Sequence, residues 1–255
     1  MANRARPLGL AAPTLAALLL ALVMAPLAAV GWRGADMTLR PSDWMAVRFS
    51  VTQAILSAVF STLLAIPVAR ALARRRFPGR AALITLMGAP FLLPAVVAVL
   101  GLLAVFGRSG LLNTVLVALG LPPVSIFGLH GVVLAHVFLN LPLATRMLLQ
   151  GWLAIPAERI RLAQSLGFGP AETFRHLERP MLREVVPGVL LVILVICLTS
   201  FAVVITLGGG PSATTIELAI YQAVRFEFDL GKAAALAGVQ LAVGSVAALA
   251  AWGLT

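Results

Sequence analysis

The 255-residue sequence contains one cysteine, one tyrosine, one lysine and nine acidic residues. Each scarcity excludes something. A lone Cys197 can build no intrachain disulfide, zinc cluster or redox pair. Three scattered histidines do not make a metal site. The acids form no catalytic pair: Asp36 and Asp43 lie seven apart in a loop, and Glu227 and Asp229 mark another. No HExxH and no GxSxG occurs. Nothing therefore supports an integral-membrane enzyme, and no cofactor is implied. Charged residues make up only 11%, against about 25% in soluble domains. That excludes an ordinary soluble domain, a disordered chain and a coiled coil.

What is present is apolar length. The chain is 61% hydrophobic, with a mean hydropathy of +1.03. A membrane helix needs roughly 20 apolar residues. Six runs meet that need: 7–32, 49–69, 81–107, about 127–149, about 185–207 and about 233–252. Gly120, Pro122 and Pro123 argue against one continuous helix through the uncharged stretch 109–145. The first run follows Arg4 and Arg6 but is too long for a signal-peptide core, so it is expected to stay as an anchor. The expected fold is an all-α integral membrane protein, with 1–255 as a single transmembrane domain.

The charges give orientation. One side of the six-span alternation holds thirteen basic residues and the other holds six. The positive-inside rule puts the loops Arg70–Arg80 and Arg146–Glu184 in the cytoplasm, with both termini on that side. It also accounts for the net charge of +10 without a nucleic-acid partner. The Arg70–Arg80 turn, broken by Pro78-Gly79, is read as a topological anchor attracted to anionic lipid headgroups.

The segment 150–184 is too structured for a linker. Pro156 to Leu166 predicts a short helix, with Pro156 near its first turn and Ile160, Ala163 and Leu166 on one apolar face. Gly167-Phe-Gly-Pro170 predicts a turn. Ala171 to Arg179 predicts a second helix, anchored by Phe174 and Leu177, that Pro180 ends or bends into the fifth span. Arg161, Glu172 and Arg175 stay free for solvent or a partner. This hairpin is either an interfacial cap or a knob that fits a groove on another protein.

Arg161-Leu-Ala-Gln-Ser-Leu-Gly167, with Pro180 thirteen residues on, resembles the cytoplasmic signature of ABC importer permeases. Ala163, Gly167 and Pro180 match it. The family's glutamate is Arg161 here, its first alanine is Leu162, and the leucine often found before its proline is Arg179. Three further segments are similar to the thiamine-importer type of that family. They are Arg75–Arg80, Leu134-Ala-His-Val-Phe-Leu-Asn-Leu-Pro142 and Leu207 to Ala223. The likeness covers nearly the whole chain and is to the first of two fused permease halves. It implies a bacterial inner-membrane subunit whose segment 150–184 docks on a separate ATP-binding subunit. It also implies a periplasmic substrate-binding protein and a second permease half. Ferric iron or another small solute remains an alternative substrate.

Inside the spans, His136 and Asn140 share a helix face. They form either a helix–helix hydrogen bond or part of a translocation path. Gly208-Gly-Gly-Pro211 lacks the Gly-Lys-Ser/Thr of a phosphate loop and predicts non-helical backbone, with a new helix from about Ala213. Glu217, Tyr221 and Gln222 are candidates for a polar outer mouth, or else a solvated helix end. A secondary transporter would call for ionisable groups within the spans, and those are scarce. A scaffold would have no use for the hairpin.

Overall fold

The computed structural model describes residues 11–34, 39–88, 93–210 and 213–253. The N-terminal arginines, Asp36, Pro211 and the C-terminus, on which some of the readings above fall, lie outside them. Among the described residues the regular elements are helical. They are α1 (Ala11–Gly34), α2 (Pro41–Arg74), α3 (Arg80–Leu86), α4 (Ala95–Phe106), α5 (Leu111–Ala118), α6 (Leu129–Leu153) and α7 (Ala157–Ser165). Then follow α8 (Pro170–Leu198), α9 (Ala202–Leu207), α10 (Ile216–Gln222), continued by a π-helical turn at Ala223–Glu227, and α11 (Leu230–Trp252). Among the described residues six helical stretches are long and apolar enough to cross a membrane.

Small residues make the centre. Along α2, Ala54, Ala58, Ala65 and Ala69 recur on one buried face, with Ser57 and Ser61 between them and Ser50 one turn before. Short side chains let backbones approach closely, which drives helix association where lipid is as apolar as leucine. That face packs on Ala144, Leu148 and Trp152 of α6 and on Val189, Ile193 and Cys197 of α8. At one end of this trio, Val203, Val204 and Leu207 of α9 close on Val132 and Ala135 of α6 and on Val99 of α4. Ile216 and Ala219 of α10 meet Ala46 of α2 and Leu236 of α11 at that same end. The hairpin occupies the opposite end. Helix α1 lies along α11, and the apolar window that would let it cross a membrane has none of its residues buried. Leu15, Leu18, Leu19 and Leu22 are left to face lipid.

Three spans differ from the sequence expectation. The second begins at Pro41, eight residues before 49, so Asp43 lies buried in the first turn of α2 and not in a loop. The run 81–107 is not one helix: α3 stops at Leu86, and α4 begins only after Pro94. Proline has no amide to donate and disfavours helix in the residue before it. Alone, α4 would rise about 18 Å, short of the hydrocarbon. The apolar stretch is completed by α5, so it runs Ala95–Ala118. The fifth span does not run 185–207 either. It starts at Pro170 and ends at Leu198, where the Thr199 hydroxyl turns back onto the carbonyls of Val195 and Ile196, both at 3.2 Å.

Candidate coupling hairpin and polar seam

The hairpin is built around one left-handed residue. Gly167 has φ +72°. Its amide donates to the Gln164 carbonyl at 3.0 Å, and the Phe168 amide donates to the Ala163 carbonyl at 2.9 Å. Together these bonds form a Schellman motif, which satisfies the last carbonyls of α7. A Cβ on Gly167 would meet nothing within 4 Å, so glycine is required by backbone conformation and not by crowding. The second arm is not a separate helix. From Pro170 it is the extension of the fifth span, running on to Leu198. Residues Phe174–Glu178 form a π-helical turn, and the Arg179 amide reaches the Phe174 carbonyl five residues back. Pro180 follows this wide turn, where no amide is needed from it.

The anchoring of that arm differs from the expectation. Phe174 is exposed and Leu177 half-buried, whereas Glu178 is 1% exposed. The carboxylate of Glu178 is held by two arginines one turn apart at the end of α2. Arg70 Nε donates to Oε2 at 2.6 Å, and Arg74 bonds Oε1. The Arg70 guanidinium also lies over the Phe174 ring, 5.6 Å from its centre. Arg70 is therefore not merely an anchoring charge. The i,i+4 pair of arginines was visible in the sequence, but nothing in the pattern linked it to an acid 108 residues away.

The outer face of α7 carries the opposite surprise. Ala163 is buried, but Ile160 and Leu166 of the expected apolar face are exposed, as is Leu162. Leu162 and Leu166, four apart, lie uncovered beside Arg161, whose pairing with Glu158 at 3.8 Å is fully at the surface. Behind α7 lies a cavity of about 400 Å³ bounded by Arg74, Trp152, Ala163, Phe168, Thr173 and Glu178.

A polar seam runs through the trio. His136 bridges α2 and the break between α8 and α9: its Nε2 is 2.7 Å from the Ser200 hydroxyl and its Nδ1 is 3.3 Å from the Ser57 hydroxyl. One ring nitrogen can donate while the other accepts. Asn140 donates to Cys197 Sγ at 3.3 Å, and Gln53 donates to the Cys197 carbonyl at 2.9 Å. His136, Asn140 and Ser200 also border a cavity of about 500 Å³. Ser57, Gln53 and Ser200 were missed in the sequence. The recurrence of Ser50, Ser57 and Ser61 on one face of α2 was the available signal.

At the end away from the hairpin, Gly209 and Gly210 have φ +78° and +139°, which no ordinary helix contains. A Cβ on Gly209 would stand 2.9 Å from that of Phe127. The new helix starts at Ile216, three residues after the expected position, capped by the Thr215 hydroxyl. Tyr221 and Gln222 line a cavity of about 530 Å³ with Gly208 and Thr214. Tyr221 stands edge-on to Phe201 and Phe226, with ring centres 5.0 and 5.8 Å away. Glu217 parts from them, accepting from Gln240 Nε2 of α11 at 2.7 Å.

No protein-family model matches the chain. The thiamine transport system permease protein ThiP of Escherichia coli is 46% identical over 94% of this chain and 47% of its own length. ThiP of Salmonella typhimurium is 51% identical over 78% of this chain and 37% of its own length. The chain thus spans about half the length, or less, of the curated relatives it matches. A bacterial alginate ABC transporter, solved with an alginate pentasaccharide-bound periplasmic protein, contains a chain that matches with TM-score 0.74 and 20% identity. The match covers 95% of this chain and 92% of that one. A chain of the MetNI methionine ABC transporter matches with TM-score 0.60 and 17% identity, over 86% of this chain and all of that one. The chain is a multi-pass, all-α membrane protein with the fold of an ABC-importer permease, and over most of its own length it closely resembles the ThiP-type permease.

Proposed function

We propose that the chain is the transmembrane subunit of an ATP-driven importer for thiamine or its phosphate esters in a bacterial inner membrane. It supplies half of the translocation path. The second permease half is fused to it in the full-length protein, in keeping with relatives about twice as long. The observation that carries the reading is the hairpin, whose Leu162 and Leu166 stand uncovered beside Arg161, away from the bundle. An apolar pair held out on a rigid arm fits a protein groove, here that of a separate ATP-binding subunit. The arginines of 70–80, at the same end of the bundle, favour a cytoplasmic placement beside anionic lipid.

At the other end, a periplasmic substrate-binding protein delivers thiamine to the mouth bordered by Tyr221 and Gln222. A cationic aromatic solute suits an exposed tyrosine ring. His136 and Asn140, on the inner cavity, are proposed to face the path.

The test is uptake of radiolabelled thiamine into proteoliposomes containing the full-length permease and the ATP-binding subunit, with the binding protein outside. Uptake should require ATP at the hairpin side and persist when ion gradients are collapsed. Uptake driven by a proton or sodium gradient without ATP would overturn the proposal in favour of a secondary transporter.

A further inference from the structure

We propose that Glu178 is the pivot of the coupling hairpin, a positioning residue through which motion of the arm is transmitted to α2. The inference rests on the reading of 150–184 as the coupling loop. Three observations meet at this residue. First, Glu178 ends the π-helical turn that separates the hairpin arm from the body of the fifth span. A wide turn followed by Pro180 has fewer regular backbone bonds than the α-helix on either side, so bending concentrates there. Second, the same turn is gripped from α2 at two points. Arg70 bonds the Glu178 carboxylate and covers Phe174, and Arg74 takes the other carboxylate oxygen. Third, the space behind α7 is not packed solid. The cavity of about 400 Å³ is bounded by Arg74 and Glu178 themselves.

A hinge, a charged clamp across it and room to move form a lever. When the arm Ala157–Thr173 is pushed, the clamp forces the end of α2 to follow. The asymmetry of exposure fits this role. Glu178 is 1% exposed, whereas Arg70 and Arg74 are 37% and 41% exposed. The acid is fixed within the joint, and the arginines reach in from a water-accessible rim. Without the clamp, displacement of the hairpin would be absorbed in the turn.

The test uses the full-length permease assembled with its ATP-binding subunit and binding protein. Spin labels at positions 162 and 76 report the hairpin and the chain just beyond α2. In the unaltered complex the distance between them should stay constant through the nucleotide cycle, because both ends move as one body. In Glu178→Gln, which keeps the shape and loses the charge, that distance should vary with nucleotide. ATP-binding subunit should still co-purify, and thiamine taken up per ATP hydrolysed should fall at least about tenfold. Glu178→Asp, which keeps the charge on a shorter stem, should retain most of the coupling. The proposal is overturned if Glu178→Gln keeps both the constant distance and the normal uptake per ATP. It is overturned equally if neither Glu178→Gln nor Glu178→Asp accumulates in the membrane, which would mark a folding role alone. If the unaltered complex takes up no thiamine, the substrate assignment fails, and the distance measurement still decides the pivot.

Discussion

Replacing Gly167 with alanine isolates the cost of one backbone conformation. At φ +72° an L-residue is strained by about 1–2 kcal/mol. No steric cost adds to this, because the space around the missing Cβ is open to 4 Å. The closed Schellman turn should therefore lose a factor of about 5–30 in its equilibrium with open forms. The amide of Phe168 reports that equilibrium, since its bond to the Ala163 carbonyl exists only while the turn is closed. Hydrogen–deuterium exchange in the assembled full-length transporter should show this amide exchanging faster by that factor. Amides of the α8 core around Val189 should be unchanged. Gly167→Leu should behave like Gly167→Ala, and Gly167→Asn should lie closer to glycine, because asparagine tolerates the left-handed region. An alanine variant as protected as the parent would refute the backbone argument. A leucine variant far worse than alanine would show that crowding decides instead.

Other regions give independent predictions. Lys232 Nζ lies 3.3 Å from Asp43 and 3.0 Å from Glu227, and Asp43 is buried. Lys232→Ala should cost up to about 3–5 kcal/mol, the range for breaking a buried pair. The loss is held down because Asp43 keeps the Arg40 amide at 2.8 Å. Thermal unfolding in detergent should show a clear drop, largely recovered in the Asp43→Asn/Lys232→Ala double variant; a double variant no better than the single would exclude the ion pair as the cause. His136→Leu leaves the Ser57 and Ser200 hydroxyls without their bridge and should cost about 1–3 kcal/mol for two intramembrane hydrogen bonds. His136→Gln should recover part of the lost unfolding midpoint. A single thiol at position 76 should be labelled only from the cytoplasm and one at Phe228, an exposed residue, only from outside. The reverse pattern would invert the orientation.

The number of spans and the position of the hairpin were legible because lipid imposes a simple rule: long apolar runs, with charges gathered between them. The breaks were less legible. A charge-free run says where chain is tolerated, not where a helix stops, so neither the end of α3 at Leu86 nor the end of α8 at Leu198 could be read from it. Gly167 was legible, since a glycine after an amphipathic run has a specific backbone use. The clamp at Glu178 was not, because long-range ion pairs leave no periodic trace. In the outer segment, a spacing of four placed Glu217 and Tyr221 on one helix face. Their partners came from different elements, Gln240 on α11 and Phe201 before α9, and these drew the two side chains apart.

Site-specific cross-linking decides whether the hairpin end of this bundle docks on an ATP-binding subunit. A cysteine at Arg161, an exposed position on α7, is placed in the full-length permease and co-expressed with the ATP-binding subunit. A short bifunctional reagent should join the two chains from position 161, and the yield should change with bound nucleotide. Position 228, at the opposite end, should give no such product. Cross-linking to the ATP-binding subunit from position 228, or none from position 161 while the subunit still co-purifies, would contradict the claim.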